Sequence, residues 1–316
     1  MGQYAANILN IGANYMINTM IANMMPYMPK SLVGFFAKRY VAGALPEDAY
    51  RLTKELNEAG AVGTIDLLGE FTEDPEKARY TVDMYKAVLD AIEKDSLGSN
   101  ISIKPTALGA LLTMDFCTEN ITELVTYANS KNIFVRIDME NHPYTDYTID
   151  LYLELNKKMK GSCGTVLQAY MKRTLDDIEK IAANTEKANI RLCKGIYKEP
   201  ADVAYHDRKR IQENYLEALD LLFEKGAYVG IATHDDVLIN GAYDLIKKHG
   251  LSKEQYEFQM LLGVRSELRK RLLSDGHTLR IYTPFGEDWL PYSIRRLKEN
   301  PAIVGSAIKG FLTGGR

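Results

Sequence analysis

From residue 62 onward, short apolar runs alternate with longer amphipathic segments rich in charge. The runs fall at 62–68, 101–104, 133–138, 165–170, 190–194, 228–233, 258–262 and 279–283, eight in all. Each has the length and composition of a strand. Between them, residues 174–188 place Leu175, Ile178, Ile181 and Ala182 on one stripe, and residues 207–225 do the same with Ile211, Tyr215, Leu219 and Leu222. That helical period predicts helices that bury one face. Strand–helix alternation builds parallel sheets, and no G-x-G-x-x-G phosphate loop follows the first run, so a doubly wound dinucleotide fold lacks its signature. The pattern predicts an α/β protein: a closed (β/α)8 barrel of the TIM type over residues 61–316, preceded by a helical extension over residues 1–60.

Polar side chains interrupt this pattern where the runs end. Lys104 closes the second run and Asp138 the third. Gln168 lies late in the fourth, Arg191 and Lys194 in the fifth, Thr233 and His234 end the sixth, Tyr282 ends the eighth, and Glu70 stands just beyond the first. The carboxyl ends of the strands form the active-site mouth of such barrels, so a series around the ring predicts a site there. Residues 282–299 then read YTPFGEDWLPYSIRRLKE. A helix starting near Trp289 brings Tyr292, Arg295, Arg296 and Glu299 onto one face. Adjacent guanidiniums of this kind either make surface ion pairs, with Glu287 and Glu299, or capture a carboxylate or phosphate bidentately.

Composition narrows the partner. The chain is 46% hydrophobic and 26% charged, a globular balance, and its net charge of -3 offers no basic footprint for nucleic acid. Cys117, Cys163 and Cys193 are odd in number and lack C-x-x-C spacing. Neither a disulfide framework nor a zinc site is expected, and a reducing cytoplasm suits the chain. The first charged side chain is Lys30. Before it, Leu9, Ala13, Met16, Ile17, Met20, Ile21, Met24 and Met28 trace a helical stripe, with Asn10, Asn14, Asn18 and Asn23 on other faces. Neither a membrane span nor a signal peptide fits. Two readings stand: a helix packed on the barrel, or a Met-rich face resting on a partner or on the inner face of the membrane, as a peripheral contact.

There is no H-E-x-x-H, G-x-S-x-G or Walker loop, so metal hydrolysis and serine chemistry recede. What remains is a cation cluster, Lys104, Arg191, Lys194, Arg295 and Arg296, with Asp138, Glu70 and Glu299 as partners. It suits a phosphate-bearing cofactor together with a carboxylate substrate. The rival enzyme is a Schiff-base aldolase using Lys104 or Lys194 as its amine nucleophile. The non-enzymatic alternative is a ligand-responsive scaffold on a barrel that has lost catalysis.

Several short motifs occur in order: IDLLGE ending at Glu70, IKPT with Lys104, VRIDMEN with Asp138 and Met139, LQAY with Gln168, and RLCKGIY from Arg191 to Tyr197. ATHD with Thr233 and His234, FQMLLG with Leu261, and the YxPFG segment with its YxxRRxxE helix complete the series. In this combination the chain resembles the monofunctional proline dehydrogenases, from about residue 62 to 301. The resemblance implies a distorted (β/α)8 barrel and oxidation of L-proline to Δ1-pyrroline-5-carboxylate, with hydride passing from ring C5 to N5 of FAD and a quinone as final acceptor. It implies that Lys104, Arg295 and Arg296 clamp the substrate carboxylate, that Arg191 sits beside flavin N5, and that Asp138 aligns clamp and cofactor. Gln168 would bond the pyrimidine edge and the Met139 backbone would touch the cofactor. Lys194, Gly195, Ile196, Thr233 and His234 would hold its phosphates and adenosine, and Glu299 would face the cofactor or brace its helix.

By the same resemblance Tyr197, Leu261, Tyr282 and Tyr292 would wall the substrate ring, Tyr282 accompanying a preference for proline over hydroxyproline. Glu70 would pair with Arg295 to close a gate, which requires the last helix to lie over the barrel mouth rather than beside the eighth strand. Ile196 stands where many relatives have alanine, which bears on pocket size. The length leaves no room for a second dehydrogenase domain, so product is expected to reach a separate pyrroline-5-carboxylate dehydrogenase by diffusion or transient docking.

Overall fold

Alternating apolar side chains give eight strands in a computed structural model that describes residues 30–299. They are β1 (Val62–Leu67), β2 (Ser99–Ile103), β3 (Val135–Ile137), β4 (Cys163–Gln168), β5 (Asn189–Cys193), β6 (Tyr228–Ala232), β7 (Tyr256–Leu261) and β8 (Leu279–Phe285). All pair in parallel, in sequence order, and the seam closes through β1 and β8 from Val62 opposite Arg280 to Leu67 opposite Phe285. The expected closed barrel is the observed fold.

Helices α1 (Lys30–Ala37) and α2 (Pro46–Glu58) precede β1. The others alternate with the strands: α3 (Pro75–Lys94), α4 (Met114–Ser130), α5 (Thr145–Lys158), α6 (Thr174–Asn184), α7 (Arg208–Glu224), α8 (Asp236–Lys248), α9 (Ser266–Ser274) and, last, α10 (Trp289–Glu299). Side chains of Asp74, Thr113, Asp207 and Asp235 accept first-turn N–H groups of α3, α4, α7 and α8. Each such cap stabilises its helix by about 1 kcal/mol. Two boundaries differ from the sequence pattern. α6 stops at Asn184, because Thr185 turns extended and its hydroxyl accepts from Asn156 Nδ2. β8 runs through Pro284 to Phe285, since Pro284 needs no N–H there and its carbonyl accepts from Ala42 N at 2.8 Å.

The apolar core lies between strands and helices. Ile65, Ile101, Ile103, Val135, Ile137, Ile190, Leu192, Val229, Ile231 and Phe258 are fully buried in it. The alternate positions of the same strands face the lumen, and most are polar: Thr64 and Asp66, Asn100 and Ser102, Arg136, Asn189 and Arg191, Glu257 and Gln259, and Arg280. Thr64 bonds Asn100, Arg136 bonds Asn189, and Arg280 bonds Glu257 across it. Parallel strands buried on both faces usually read as continuous apolar runs. Here one face is apolar and the other carries charge.

α2 packs its buried Ala49, Thr53 and Leu56 over the seam formed by β1 and β8. The place beside β8 is thus filled, and α10 lies over the mouth instead. Its Tyr292 and Leu297 pack on Val33 and Phe36 of α1, together with Tyr40, Val41 and Leu68 from the segments that follow α1 and β1. Gly34 faces the Trp289 ring, where an added Cβ would make an ordinary 3.4 Å contact. The Met-rich stripe of residues 1–29 lies outside the described residues, as does everything beyond 299. Among the described residues no helix is long and apolar enough to cross a membrane, and no His, Cys, Asp or Glu group could hold a metal ion.

Candidate active site

The first polar knot forms where β1, β2 and β8 end. Lys104, next after β2, sets its Nζ 2.5 Å from Asp66 Oδ1 and donates to the Tyr282 hydroxyl at 3.2 Å. Asp138 Oδ2 lies 4.0 Å away. Burial works against the Lys104 charge, but Asp66, Tyr282 and Asp138 outweigh it and hold its pKa well above the ordinary value. Burial pushes the Asp66 carboxyl up as well, to about 6, although the ammonium opposes this. Lys104 is therefore a cation at neutral pH. Tyr282 lies mid-strand, its ring 5.9 Å from Lys104 Nζ and 5.7 Å from the Arg191 guanidinium carbon.

The second knot centres on Arg191. Its Nη1 donates to Asp138 Oδ1 at 2.6 Å and to Ser102 Oγ at 3.2 Å, and Ser102 donates to the same carboxylate at 2.7 Å. Its Nε donates to Gln259 Oε1 at 2.6 Å. Beside it, Gln168 Nε2 donates to Met139 O at 3.3 Å, while its buried Oε1 has no hydrogen-bond partner among the described residues. Breaking a buried, hydrogen-bonded ion pair on one side costs roughly 3–5 kcal/mol. Arg191 and Asp138 are accordingly costly to separate.

From above, α10 presents its arginines to this floor. Arg295 Nη1 donates to Glu70 Oε1 at 2.5 Å. Burial disfavours the Arg295 charge, but Glu70, Tyr197 and Tyr282 outweigh it and raise its pKa. Arg296 is buried, with its guanidinium 5.4 Å from the Tyr292 ring centre. His234 accepts from Leu261 N at 3.0 Å through Nε2. Its pKa is pressed down to about 4 by burial and by Arg296, Lys194 and Arg265, so the ring is neutral.

A second arm follows β5 and β6. Lys194 lies 3.4 Å from Asp235 Oδ2, which also draws Arg208 and Gln212. Thr233 is buried and its Oγ1 accepts from Asp235 N at 3.2 Å. Gly195 has φ +102° and an added Cβ would stand 2.2 Å from the Tyr170 ring, so glycine is needed for the turn itself. Ile196 is 57% exposed and lies outside the core.

The structure thus bonds Lys104 to Tyr282 and Arg191 to Asp138, with Arg295 bonded to Glu70 above them, and Tyr197, Arg296, His234 and Leu261 joined to these by contact or field. Met139 and Gln168 border the Arg191 knot, and Tyr292 lies on the capping helix. Lys194, Gly195, Ile196 and Thr233 form a separate arm. Glu299 ends α10, and its side chain lies outside the described residues. Sequence reading missed Asp66, Ser102, Gln259 and Glu140. The buried Glu140 accepts from Thr106 N and Oγ1 at 2.8 and 2.5 Å, and Thr106 Oγ1 accepts from Phe71 N, fixing the turn that carries Glu70. For Asp66, Ser102 and Gln259 the signal was period-two alternation inside the strands, in TID, NISIK and EFQML; Glu140 lies beyond β3 and had no such signal.

Residues 49–308 match the family model described as proline dehydrogenase. The chain belongs to this family. It is 38% identical over 258 residues to proline dehydrogenase 2 of Bacillus subtilis (strain 168), covering 82% of this chain and 84% of the relative. It is 33% identical over 282 residues to proline dehydrogenase of Deinococcus radiodurans, covering 88% and 90%. Proline utilization A from Bdellovibrio bacteriovorus, inactivated by N-propargylglycine, superimposes with a TM-score of 0.82 at 22% identity, over 91% of this chain. The chain spans only 36% of that longer protein, and the likeness there is one of fold. As a member of the proline dehydrogenase family the chain is an oxidoreductase acting on a CH–NH group, which oxidises proline in proline catabolism. The family is flavin-dependent. The Schiff-base aldolase alternative is set aside.

Proposed function

We propose that the chain oxidises L-proline to Δ1-pyrroline-5-carboxylate with FAD as its cofactor and a quinone as electron acceptor, at the site formed by the two knots and the α10 cap. One observation carries this reading: the buried Arg191–Asp138 pair and the Lys104 knot share the Tyr282 ring, under a cap held by Arg295 and Glu70.

The substrate carboxylate is gripped by Lys104, Arg295 and Arg296. Lys104 is pre-charged by its acidic neighbours, so binding an anion requires no proton uptake. The guanidiniums supply paired, directional N–H donors, which fix orientation as well as affinity. Tyr282, Tyr292, Tyr197 and Leu261 wall the ring, an apolar lining with few polar tips. The Glu70–Arg295 bond, when made, closes α10 over the site and excludes water.

The residues fit a flavin. Gln168 Oε1 is a buried acceptor suited to an imide N–H of the pyrimidine edge. Lys194, with Arg208 nearby, offers cations for a diphosphate; Gly195, Ile196, Thr233 and the Nδ1 side of His234 line the same arm, and the Met139 backbone and Glu299 complete the set. Bound there, FAD supplies the two-electron acceptor for the C5–H bond of proline. Arg191, held in place by Asp138, Ser102 and Gln259, offers a fixed positive charge that needs no reorganisation as negative charge develops beside it.

Around this site we divide the chain into an extension, 1–60, and the barrel, 61–316. The extension seats the cap, and its Met-rich beginning is the candidate for peripheral contact with a cytoplasmic membrane face, where a quinone is reached. Product passes to a pyrroline-5-carboxylate dehydrogenase by diffusion or transient docking. Arg295→Met and Arg296→Met test the site: each is expected to weaken proline binding roughly ten- to hundredfold, the loss of a charge-assisted bond, with FAD content unchanged. Loss of FAD in step with proline affinity would move the arginines onto the cofactor.

A further inference from the structure

Arg191 is also held from below, on a side that neither clamp nor cap reaches. Its Nε–H donates to Gln259 Oε1, and Gln259 Nε2 donates to Glu257 Oε1, both at 2.6 Å. That oxygen also accepts from Arg280 Nε at 2.7 Å, and Arg280 Nη1 donates to Gly63 O at 2.5 Å. The Tyr228 hydroxyl donates to the other Glu257 oxygen at 3.1 Å. The series runs down the lumen to a cavity of about 410 Å3 at the amino-terminal mouth, lined in part by Tyr228, Glu257 and Arg280.

Only a side chain that accepts at one end and donates at the other can bridge a cation and an anion while staying neutral, and an amide does both. Gln259 keeps the Glu257 carboxylate one side chain away from Arg191. Among the described residues Asp138 is then the one carboxylate bonded to Arg191, while Arg280 balances Glu257. Burial works against the Glu257 charge, but Arg280, Gln259 and Arg136 outweigh it and hold the carboxyl below its ordinary value. Space is reserved for the amide as well. A Cβ on Gly230 would stand 2.3 Å from Gln259 Nε2, so glycine at 230 leaves the amide its place.

We propose that Gln259, anchored by Glu257 and Arg280, is a positioning residue: it fixes the Arg191 guanidinium and keeps its charge available to the flavin. This rests on the placement of Arg191 beside the flavin given above. The test is a double-mutant cycle in the FAD-loaded enzyme, Gln259→Leu against Arg191→Lys, read as kcat and KM for proline and as the flavin midpoint potential. Gln259→Leu is expected to lower kcat about tenfold or more, as small displacements of a reacting constellation do, to leave KM within about twofold because the clamp is untouched, and to make the potential more negative. In the Arg191→Lys background, which lacks the Nε–H, it is expected to change kcat less than about twofold, since coupled residues fail additivity.

Equal losses in the two backgrounds, or a fall in kcat with no change in potential, would overturn the proposal. If Arg191→Lys moves kcat and potential while Gln259→Leu moves neither, this inference alone is wrong. If Arg191→Lys itself moves neither, the placement of Arg191 at the flavin is wrong and the inference goes with it. Should Gln259→Leu fail to fold, Gly230→Ala crowds the amide without removing a polar group. It is expected to shift kcat and potential in the same direction, and no shift in either would count against the proposal.

Discussion

His234 joins two parts of the site through one neutral ring. Its Nε2 accepts from Leu261 N, so Nδ1 carries the proton, and its carbonyl accepts from Arg265. The fold holds its pKa at about 4, against 6.5 for an ordinary histidine, by burial and by three neighbouring cations. Above pH 6.5 the ring is neutral whether the chain is folded or not. As pH falls from 6.5 toward 4, the unfolded chain takes up a proton that the native ring refuses, so stability is lost across that window. His234→Gln can still accept from Leu261 but does not titrate. Its Tm is expected to fall less steeply than the parent's between pH 6.5 and 4; parallel slopes would contradict the assignment. Asp66 and Glu140, whose pKa values are raised by burial to about 6 and about 7, contribute stability at low pH that is lost as pH rises through those values. Comparing two variants that share both acids removes their part. A motif search finds His234 because it ends a run beside Thr and Asp. It passes over Asp66, whose meaning depends on Lys104, 38 positions away.

The capping helix shows what periodicity can and cannot tell. The i, i+3, i+4, i+7 spacing puts Tyr292, Arg295 and Arg296 on one face, yet nothing in that spacing says what the opposite face rests on. The answer lies in α1 and the residues just after it: Val33, Phe36 and Tyr40 cluster with Leu297, and with Tyr292 from the arginine face itself. The short segment 30–37 carried no chemical motif, so its role in seating the cap was invisible before the fold. Leu297 is fully buried there. Leu297→Ala is expected to cost about 2–5 kcal/mol of packing, and the loss falls on the cap before the barrel. Amide exchange in α10 should quicken while β1 to β8 stay protected, and KM for proline should rise. Uniform acceleration across barrel and cap would show that α10 is not an independently held lid.

At the scale of the whole molecule, eight apolar runs separated by amphipathic segments were enough to specify a closed barrel. They were not enough to show its interior. The same strands that bury Ile65, Ile101 and Ile190 outward turn Asp66, Ser102 and Arg191 inward, and only closure of β1 on β8 brings these into one network. A lumen with Lys104, Arg136, Arg191 and Arg280 against Asp66, Asp138 and Glu257 is expensive to desolvate unless every charge is paired. Under the proposed function, Lys104 of this set meets the substrate anion and Arg191 the redox centre. The decisive measurement is the visible absorbance of the purified, FAD-loaded protein under anaerobic conditions as L-proline is added. The account predicts a yellow protein whose flavin band bleaches with L-proline. Retention of the flavin band at saturating L-proline, or a protein that stays colourless after reconstitution with FAD, would contradict it.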